Sequence, residues 1–135
     1  MYSNILVPMA LDHGISSQTL QVARALLAEG GHITALHIYE GAQGSVSAYL
    51  DEDAVQSAYE RAKAALEDRV KDLPDVDAVI AKGHSGRGIV DVAVARQADC
   101  IVIGSHKPGL IDYLLGSTAA RVVRHAPCSV HVIRP

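Results

Sequence analysis

The chain has 135 residues, enough to bury one sizeable hydrophobic core but too few for two, so we expect a single domain over residues 1–135. Its net charge is −3 and its basic residues are interspersed with acidic ones, which argues against a nucleic-acid partner. The apolar runs are too short to span a membrane and no signal-peptide pattern opens the sequence, so we expect a cytoplasmic protein.

The first half of the chain alternates strand and helix patterns. The apolar run from Asn4 to Pro8 predicts a strand, and apolar side chains at helical spacing predict a helix from about Ser16 to a glycine pair at 30–31. Alternation over His32 to Tyr39 predicts a second strand, which a loop of small residues follows. The segment Asp51 to Leu73 has helical spacing and acidic residues in its first turn, as the helix dipole favours, and we interpret its alanine and leucine stripe as core.

The second half continues the same alternation. The predicted elements are a strand at Asp77–Ala81, a glycine-rich turn at Gly83–Gly88, a helix at Ile89–Gln97, a strand at Asp99–Gly104, a helix at Leu115–His125 and a strand at Cys128–Ile133. Parallel strands need crossover connections, which are usually helical and right-handed. We therefore expect an α/β fold: one open, parallel, five-stranded sheet of Rossmann-like type with helices on both faces.

The loops that follow the strands are where such a sheet binds ligands. Two of them stand out, at residues 7–12 and 104–118. In the second, Gly116 precedes a helix that starts with the hydroxyl side chains of Ser117 and Thr118, and backbone N–H groups at a helix start attract phosphate. An ordinary helix cap is the alternative interpretation of the same three residues.

Other residues of this loop suit the same chemistry. Gly104 and Gly109 would let the backbone approach a ligand closely, and His106 and Lys107 could direct donors toward phosphate oxygens. Arg87, in the glycine-rich turn, is a more distant candidate for a phosphate contact.

Several motifs make the whole chain similar to a known family. They are Val7–Pro8, Leu36–His37–Ile38, Ile101 to His106 followed by Leu114 to Ser117, and the ending Val122 to Val130. The sequence resembles the universal stress protein family, closest to its UspF-like nucleotide-binding branch. The resemblance implies that the chain binds an adenine nucleotide, with ATP as the first candidate. Pro8, Met9 and Ala10 would border the adenosine, the Ile38 backbone would contact the adenine, and Ile103 would flank the base. The ribose and phosphates would be held by Gly104, Gly116, Ser117 and Thr118.

Two departures from the family pattern bear on this expectation. The first is in the phosphate loop: this chain has Lys107 where the family pattern has its second glycine. The family pattern then has nine residues before the next glycine, whereas this chain has eight between Lys107 and Gly116. The second is at Ala10, where many family members carry Asp, so the contact made by that Asp is lost. Asp12 is the nearest residue that could replace it. Because Lys107 adds a cation, we expect nucleotide binding to be retained.

Three functions follow as hypotheses. The first is a nucleotide-dependent regulator, with a membrane transporter as a candidate partner because some relatives are linked with transporters. The second is a slow ATPase, which would require Mg²⁺ near the phosphates and a general base that the sequence does not show. The third is a protein-interaction module without nucleotide. The terminal strand, Ser129 to Ile133, could lie at a sheet edge, and with the resemblance this implies a homodimer or a larger assembly.

Other chemistry is not supported by the sequence. The seven histidines form no metal-binding motif, and Cys100 and Cys128 lack CxxC spacing, so we interpret them as structural. The glycine-rich turn matches neither GxGxxG nor a P-loop, and no GxSxG elbow presents a nucleophile. We therefore assign no catalytic residue.

Overall fold

A computed structural model describes residues 1–11, 16–41, 51–105 and 115–134. The elements are β1 (Tyr2–Pro8), α1 (Ser16–Leu26), β2 (Leu27–Tyr39), α2 (Glu52–Val70), β3 (Val76–Lys82), α3 (Ser85–Ala95), β4 (Cys100–Gly104), α4 (Ser117–His125) and β5 (Ser129–Ile133). All neighbouring strands are parallel, in the order β3-β2-β1-β4-β5. The predicted α/β fold is confirmed. The order places β3 and β5 at the two edges, and the direction of the connections reverses between β1 and β4.

The core consists of two layers, one on each face of the sheet. Ile5 and Val7 of β1 pack with residues of α1 and α2, such as Leu20 and Leu66. Leu6 points to the opposite face. There it packs in a cluster with residues from α3 and α4 that include Ile89, Ala93, Ala119 and Val122. Because β1 is buried on both faces, it is apolar without alternation, as a central parallel strand should be. None of the helices in the described ranges is long and apolar enough to cross a membrane.

The end of the first helix differs from the prediction. The helix stops at Leu26, and β2 begins at Leu27, four residues before the second glycine of the pair. Leu27 pairs with Tyr2, and the register between β1 and β2 shifts before the regular ladder starts at His32. At Gly31 a Cβ would lie 3.0 Å from the Ser3 carbonyl oxygen. The glycine pair therefore serves the irregular start of a strand pairing instead of ending a helix, and local helical spacing could not reveal that.

The glycine-rich turn before the third helix is also shorter than predicted. The helix α3 begins at Ser85, so Gly86 and Gly88 belong to its first turns. Gly83, with φ +138°, is the residue of this segment that needs glycine for its backbone conformation. Gly86 and Gly88 instead leave room for side chains of neighbouring elements, Arg121 and Ile38 respectively. Close packing, not a turn, is the reason for these two glycines.

Candidate functional site

The carboxyl edge of the sheet carries a cavity of about 780 Å³, a volume within the usual range for small-molecule sites. It lies where β1 and β4 are neighbours and the chain direction reverses, the place where open parallel sheets bind ligands. Nine predicted site residues line it: Pro8, Met9, Ala10, Ile38, Ile103, Gly104, Gly116, Ser117 and Thr118. The other three, His106, Lys107 and Gly109, lie outside the described residues, as do Asp12 and the predicted loop from residue 42 to Leu50.

The first side of the cavity is held by the strand ladder and its extension. The Met9 N–H donates to the Leu36 carbonyl oxygen over 2.7 Å, one residue beyond the Pro8 pairing with Leu36. The His37 ring nitrogen Nδ1 lies 2.9 Å from the Met9 carbonyl oxygen, to which it can donate only in the tautomer that is protonated there. This contact agrees with the structural role predicted for the strand histidines. Met9, Ile38 and Ile103 are each less than a tenth exposed, so they form an apolar floor.

The second side is the start of α4. The Gly116 N–H donates to the Ser105 carbonyl oxygen over 2.7 Å, and the Ser105 N–H donates to the Ile133 carbonyl oxygen over 2.9 Å. These bonds fix the helix start to the ends of β4 and β5. Gly116 is the N-cap and makes no side-chain cap hydrogen bond. The first N–H groups of α4 have no intrahelical acceptor, so this end of the cavity carries partial positive charge.

The third side is the start of α3, which the sequence connects with the site only through Arg87, not through Ser85. The Glu40 carboxylate oxygen Oε1 accepts from the Ser85 N–H over 2.9 Å and from the Ser85 hydroxyl over 2.7 Å. Both residues line the cavity. They are 45 positions apart in the chain. No local pattern indicates such a contact, which depends on β2 and β3 lying side by side.

The fourth side is α2, whose small-residue stripe we had interpreted as core. Leu66 and Val70 are buried as predicted, but Ala62 and Ala65 line the cavity together with Arg61. The apolar stripe thus splits into a buried half and a cavity-lining half, because α2 extends past the carboxyl edge of the sheet. Small side chains next to an arginine were the signal in the sequence that could have indicated a cavity wall.

An aromatic cluster attaches this part of α2 to the sheet. The rings of Tyr39 and Tyr59 meet edge to face, with centroids 5.7 Å apart. The Lys82 ammonium lies 4.5 Å from the centroid of the Tyr59 ring, a cation–π distance. Farther along α2, the Arg69 guanidinium donates to the carbonyl oxygen of Leu11 over 2.8 Å and so holds the start of the loop after β1.

Arg87 and the two cysteines, Cys100 and Cys128, are not among the residues that line the cavity. Arg87 is exposed, pairs with Asp91 over 3.8 Å, and is not among the residues that line the cavity, so the structure does not support it as a phosphate contact. Burial, with smaller contributions from Cys128 and Asp99, raises the pKa of the Cys100 thiol to about 11. Burial likewise raises the pKa of Cys128. Both thiols therefore stay protonated near neutral pH, which makes them poor nucleophiles. Among the described residues no group of three metal-ligating side chains occurs.

The family model for the universal stress protein family matches residues 1–134. The chain belongs to the universal stress protein family. It is 30% identical over 143 residues to universal stress protein G of Escherichia coli O157:H7, which covers 99% of this chain and 100% of that relative. The family resemblance seen in the motifs is confirmed, whereas the UspF-like branch stays a prediction.

Solved structures of other universal stress proteins share the fold. The structure of UspA from Lactobacillus plantarum superimposes with a TM-score of 0.79 at 26% identity and covers 98% of each chain. A universal stress protein in complex with cAMP has a TM-score of 0.70 at 20% identity, covering 98% of this chain and 97% of that one. One from Archaeoglobus fulgidus in complex with dAMP has a TM-score of 0.65 at 22% identity, covering 98% of each. Two proteins of this fold have thus been solved with an adenine nucleotide.

Proposed function

We propose that this universal stress protein binds an adenine nucleotide at the carboxyl edge of its sheet and acts as a regulatory protein. ATP is the first candidate for that nucleotide. The observation that carries the proposal is the start of α4, where Gly116, Ser117 and Thr118 line the cavity and the N-cap residue is a glycine, which has no side chain to cap the helix. Uncapped N–H groups and two hydroxyls are suitable partners for phosphate. The neighbours solved with cAMP and dAMP support the ligand class.

The other end of the cavity suits the nucleoside. Ile38 and Ile103 offer apolar surface for a base, and the end of β2 offers backbone groups for its polar edge. Ala10 lines the cavity at the position where many family members carry Asp, so the ribose would have to find another acceptor. His106, Lys107 and Gly109 belong to the proposed phosphate loop, with Mg²⁺ as a candidate companion of the phosphates.

We infer regulation in preference to catalysis from the side chains on the cavity wall. Glu40 is the carboxylate among the described lining residues, and its Oε1 already accepts two hydrogen bonds from Ser85. These bonds hold Glu40 at the start of α3, whereas a general base for ATP hydrolysis would have to lie beside the terminal phosphate, which we propose at the start of α4. The proposed regulator is cytoplasmic and homodimeric, with a membrane transporter as its candidate partner.

The test is calorimetric titration of nucleotide-stripped protein with ATP, AMP and adenosine, with and without Mg²⁺. The double variant Ser117→Ala, Thr118→Ala removes the two hydroxyls, and Ser57→Ala on the exposed part of α2 is the control. A hydrogen bond to a charged group contributes about 1.5–3 kcal/mol. We therefore expect the double variant to bind ATP roughly ten times more weakly or worse and adenosine as tightly as the wild type.

Two results would contradict the proposal. Absence of ATP and adenosine binding to the wild type would leave the protein-interaction module as the function. Release of inorganic phosphate from ATP by the wild type, above the rate of the double variant, would favour the slow ATPase.

A further inference from the structure

Two helix starts face the cavity, and they resemble each other as anion sites. Ser85 at the start of α3 and Ser117 at the start of α4 both line it. Their N-cap residues, His84 and Gly116, make no side-chain cap hydrogen bond. By helix geometry and dipole alone, a nucleotide could place its phosphates at either end of the cavity.

Glu40 makes the two helix starts different. Its Oε1 atom accepts from the N–H and the hydroxyl of Ser85, so an anion of the protein already lies at the positive end of α3. The Gly83 N–H donates to the Tyr39 carbonyl oxygen over 3.1 Å. This bond joins the end of β2, next to Glu40, to the residues just before α3. A phosphate brought to this end would have to displace a carboxylate and would meet its negative charge.

Glu40 also lies at the end of the cavity proposed for the base. It follows β2, two residues after Ile38, which carries the proposed adenine contact. The start of α4 follows β4, and β1 lies between β2 and β4 in the sheet. The carboxylate follows β2 and the uncapped helix start follows β4, so they lie on different sides of the cavity although α3 and α4 pack side by side. The cavity has a negative side chain where the base is expected and partial positive charge where the phosphates are expected.

We propose that Glu40 is a specificity residue that sets the direction of the bound nucleotide, by closing the start of α3 to phosphate and leaving α4 as its anchor. The inference rests on the proposed function for its ligand class. It goes further by assigning a role in selection to a residue outside the motifs that define the site. A ligand with anionic groups at both ends is disfavoured for the same reason.

Three variants test this role. Glu40→Ala opens the start of α3, Glu40→Gln keeps the side-chain shape and an acceptor oxygen but removes the charge, and Glu67→Gln makes the same charge change on the exposed face of α2. Each is combined with the Ser117→Ala, Thr118→Ala pair in a double-mutant cycle for ATP binding. The Gln variant keeps a partner for the Ser85 N–H, which protects the test against loss of folding in the Ala variant.

We expect removal of the Ser117 and Thr118 hydroxyls to weaken ATP binding less in the Glu40→Ala background than in the wild type. If removing the two hydroxyls weakens ATP binding tenfold in the wild type, the loss should shrink to threefold or less with Glu40→Ala, and to an intermediate value with Glu40→Gln. In the Glu67→Gln background the full loss should remain. Equal losses in all backgrounds would overturn the role of Glu40 while leaving nucleotide binding established.

A direct measurement of direction completes the test. Mn²⁺ bound to the ATP phosphates relaxes amide protons with a steep distance dependence, so at substoichiometric Mn²⁺ the wild type should show stronger broadening at Ser117 and Thr118 than at Ser85 and Gly86. With Glu40→Ala the Ser85 and Gly86 signals should broaden as well. Unchanged broadening in the variant, or broadening centred on Ser85 in the wild type, would contradict the proposal. A wild type that binds no ATP would instead overturn the proposed function itself.

Discussion

Two glycines of α3, Gly86 and Gly88, lie two residues apart and face different neighbours, so an added methyl group would meet different atoms at each. A Cβ at Gly88 would lie 2.9 Å from Cδ1 of Ile38, a buried residue of the cavity floor. A Cβ at Gly86 would lie 2.7 Å from Cδ and 3.2 Å from Cβ of Arg121, an exposed residue of α4 that does not line the cavity. The same substitution should therefore affect the cavity at one position and not at the other.

We expect Gly88→Ala to weaken adenosine binding severalfold, because Ile38 must shift on the wall proposed for the base. Helix propensity favours alanine over glycine by about 1 kcal/mol, so the free energy of unfolding should change little as strain and propensity offset each other. Gly86→Ala should leave adenosine binding unchanged, because Arg121 does not line the cavity. Its free energy of unfolding should also change little, because the close contact with the Arg121 Cβ offsets a propensity gain of about 1 kcal/mol. Urea unfolding and calorimetry measure both quantities, and equal adenosine affinities in the two variants would contradict the proposed base contact.

At the scale of elements, the two ends of α2 are held by different contacts. Its buried residues, Leu66 and Val70, belong to its last turns. At its first turn, the Asp51 carboxylate accepts from the Ala54 N–H over 2.6 Å. The cavity-lining residue Arg61 lies between these two ends. The order of the cavity wall therefore rests on the cap and on the contact of Tyr59 with Tyr39.

Asp51→Ala should lower the free energy of unfolding by about 1 kcal/mol, the usual cost of losing an N-cap side chain. Asp51→Asn keeps an acceptor oxygen and should restore most of that loss. Amide hydrogen exchange should accelerate in the first turn of α2 in the Ala variant and not near Leu66. Identical exchange in the wild type and the Ala variant would show that the cap does not hold this helix start.

At the scale of the whole molecule, the order of the strands leaves β5 at one edge, as predicted. Ser129 and His131 are exposed on this strand. An unpaired parallel edge is a template for association, and pairing with a second copy would remove it. The homodimer through the C-terminal strand stays a prediction that this arrangement supports.

The double variant Ser129→Glu, His131→Glu should dissociate such a dimer, because like charges face each other across paired strands. The matched variant with Gln at both positions has similar size without the charge and should remain dimeric. Sedimentation velocity distinguishes the two species. A monomeric wild type, or a dimer that the acidic variant leaves intact, would place the interface elsewhere.

The sequence by itself determined the alternation of strands and helices, the parallel sheet and the family. Loop position indicated the cavity-wall residues of the segments 7–12 and 104–118, because residues that follow parallel strands meet at one edge, and the family resemblance added Ile38 and Ile103. Local periodicity, loop position and family motifs are all visible along the chain. The boundaries of the helices and strands were less certain where glycines occurred, since a glycine can serve a turn or a close approach equally well.

Only the tertiary structure decided how the remaining residues are used. Glu40 accepts hydrogen bonds from Ser85, and Gly88 closely approaches Ile38. Arg61 lines the cavity beside residues of the sheet. Each of these contacts joins elements that are distant in sequence. Such contacts follow from which strands are neighbours and how far a helix extends past the sheet. Neither quantity has a local pattern, because each is set by packing across the whole domain.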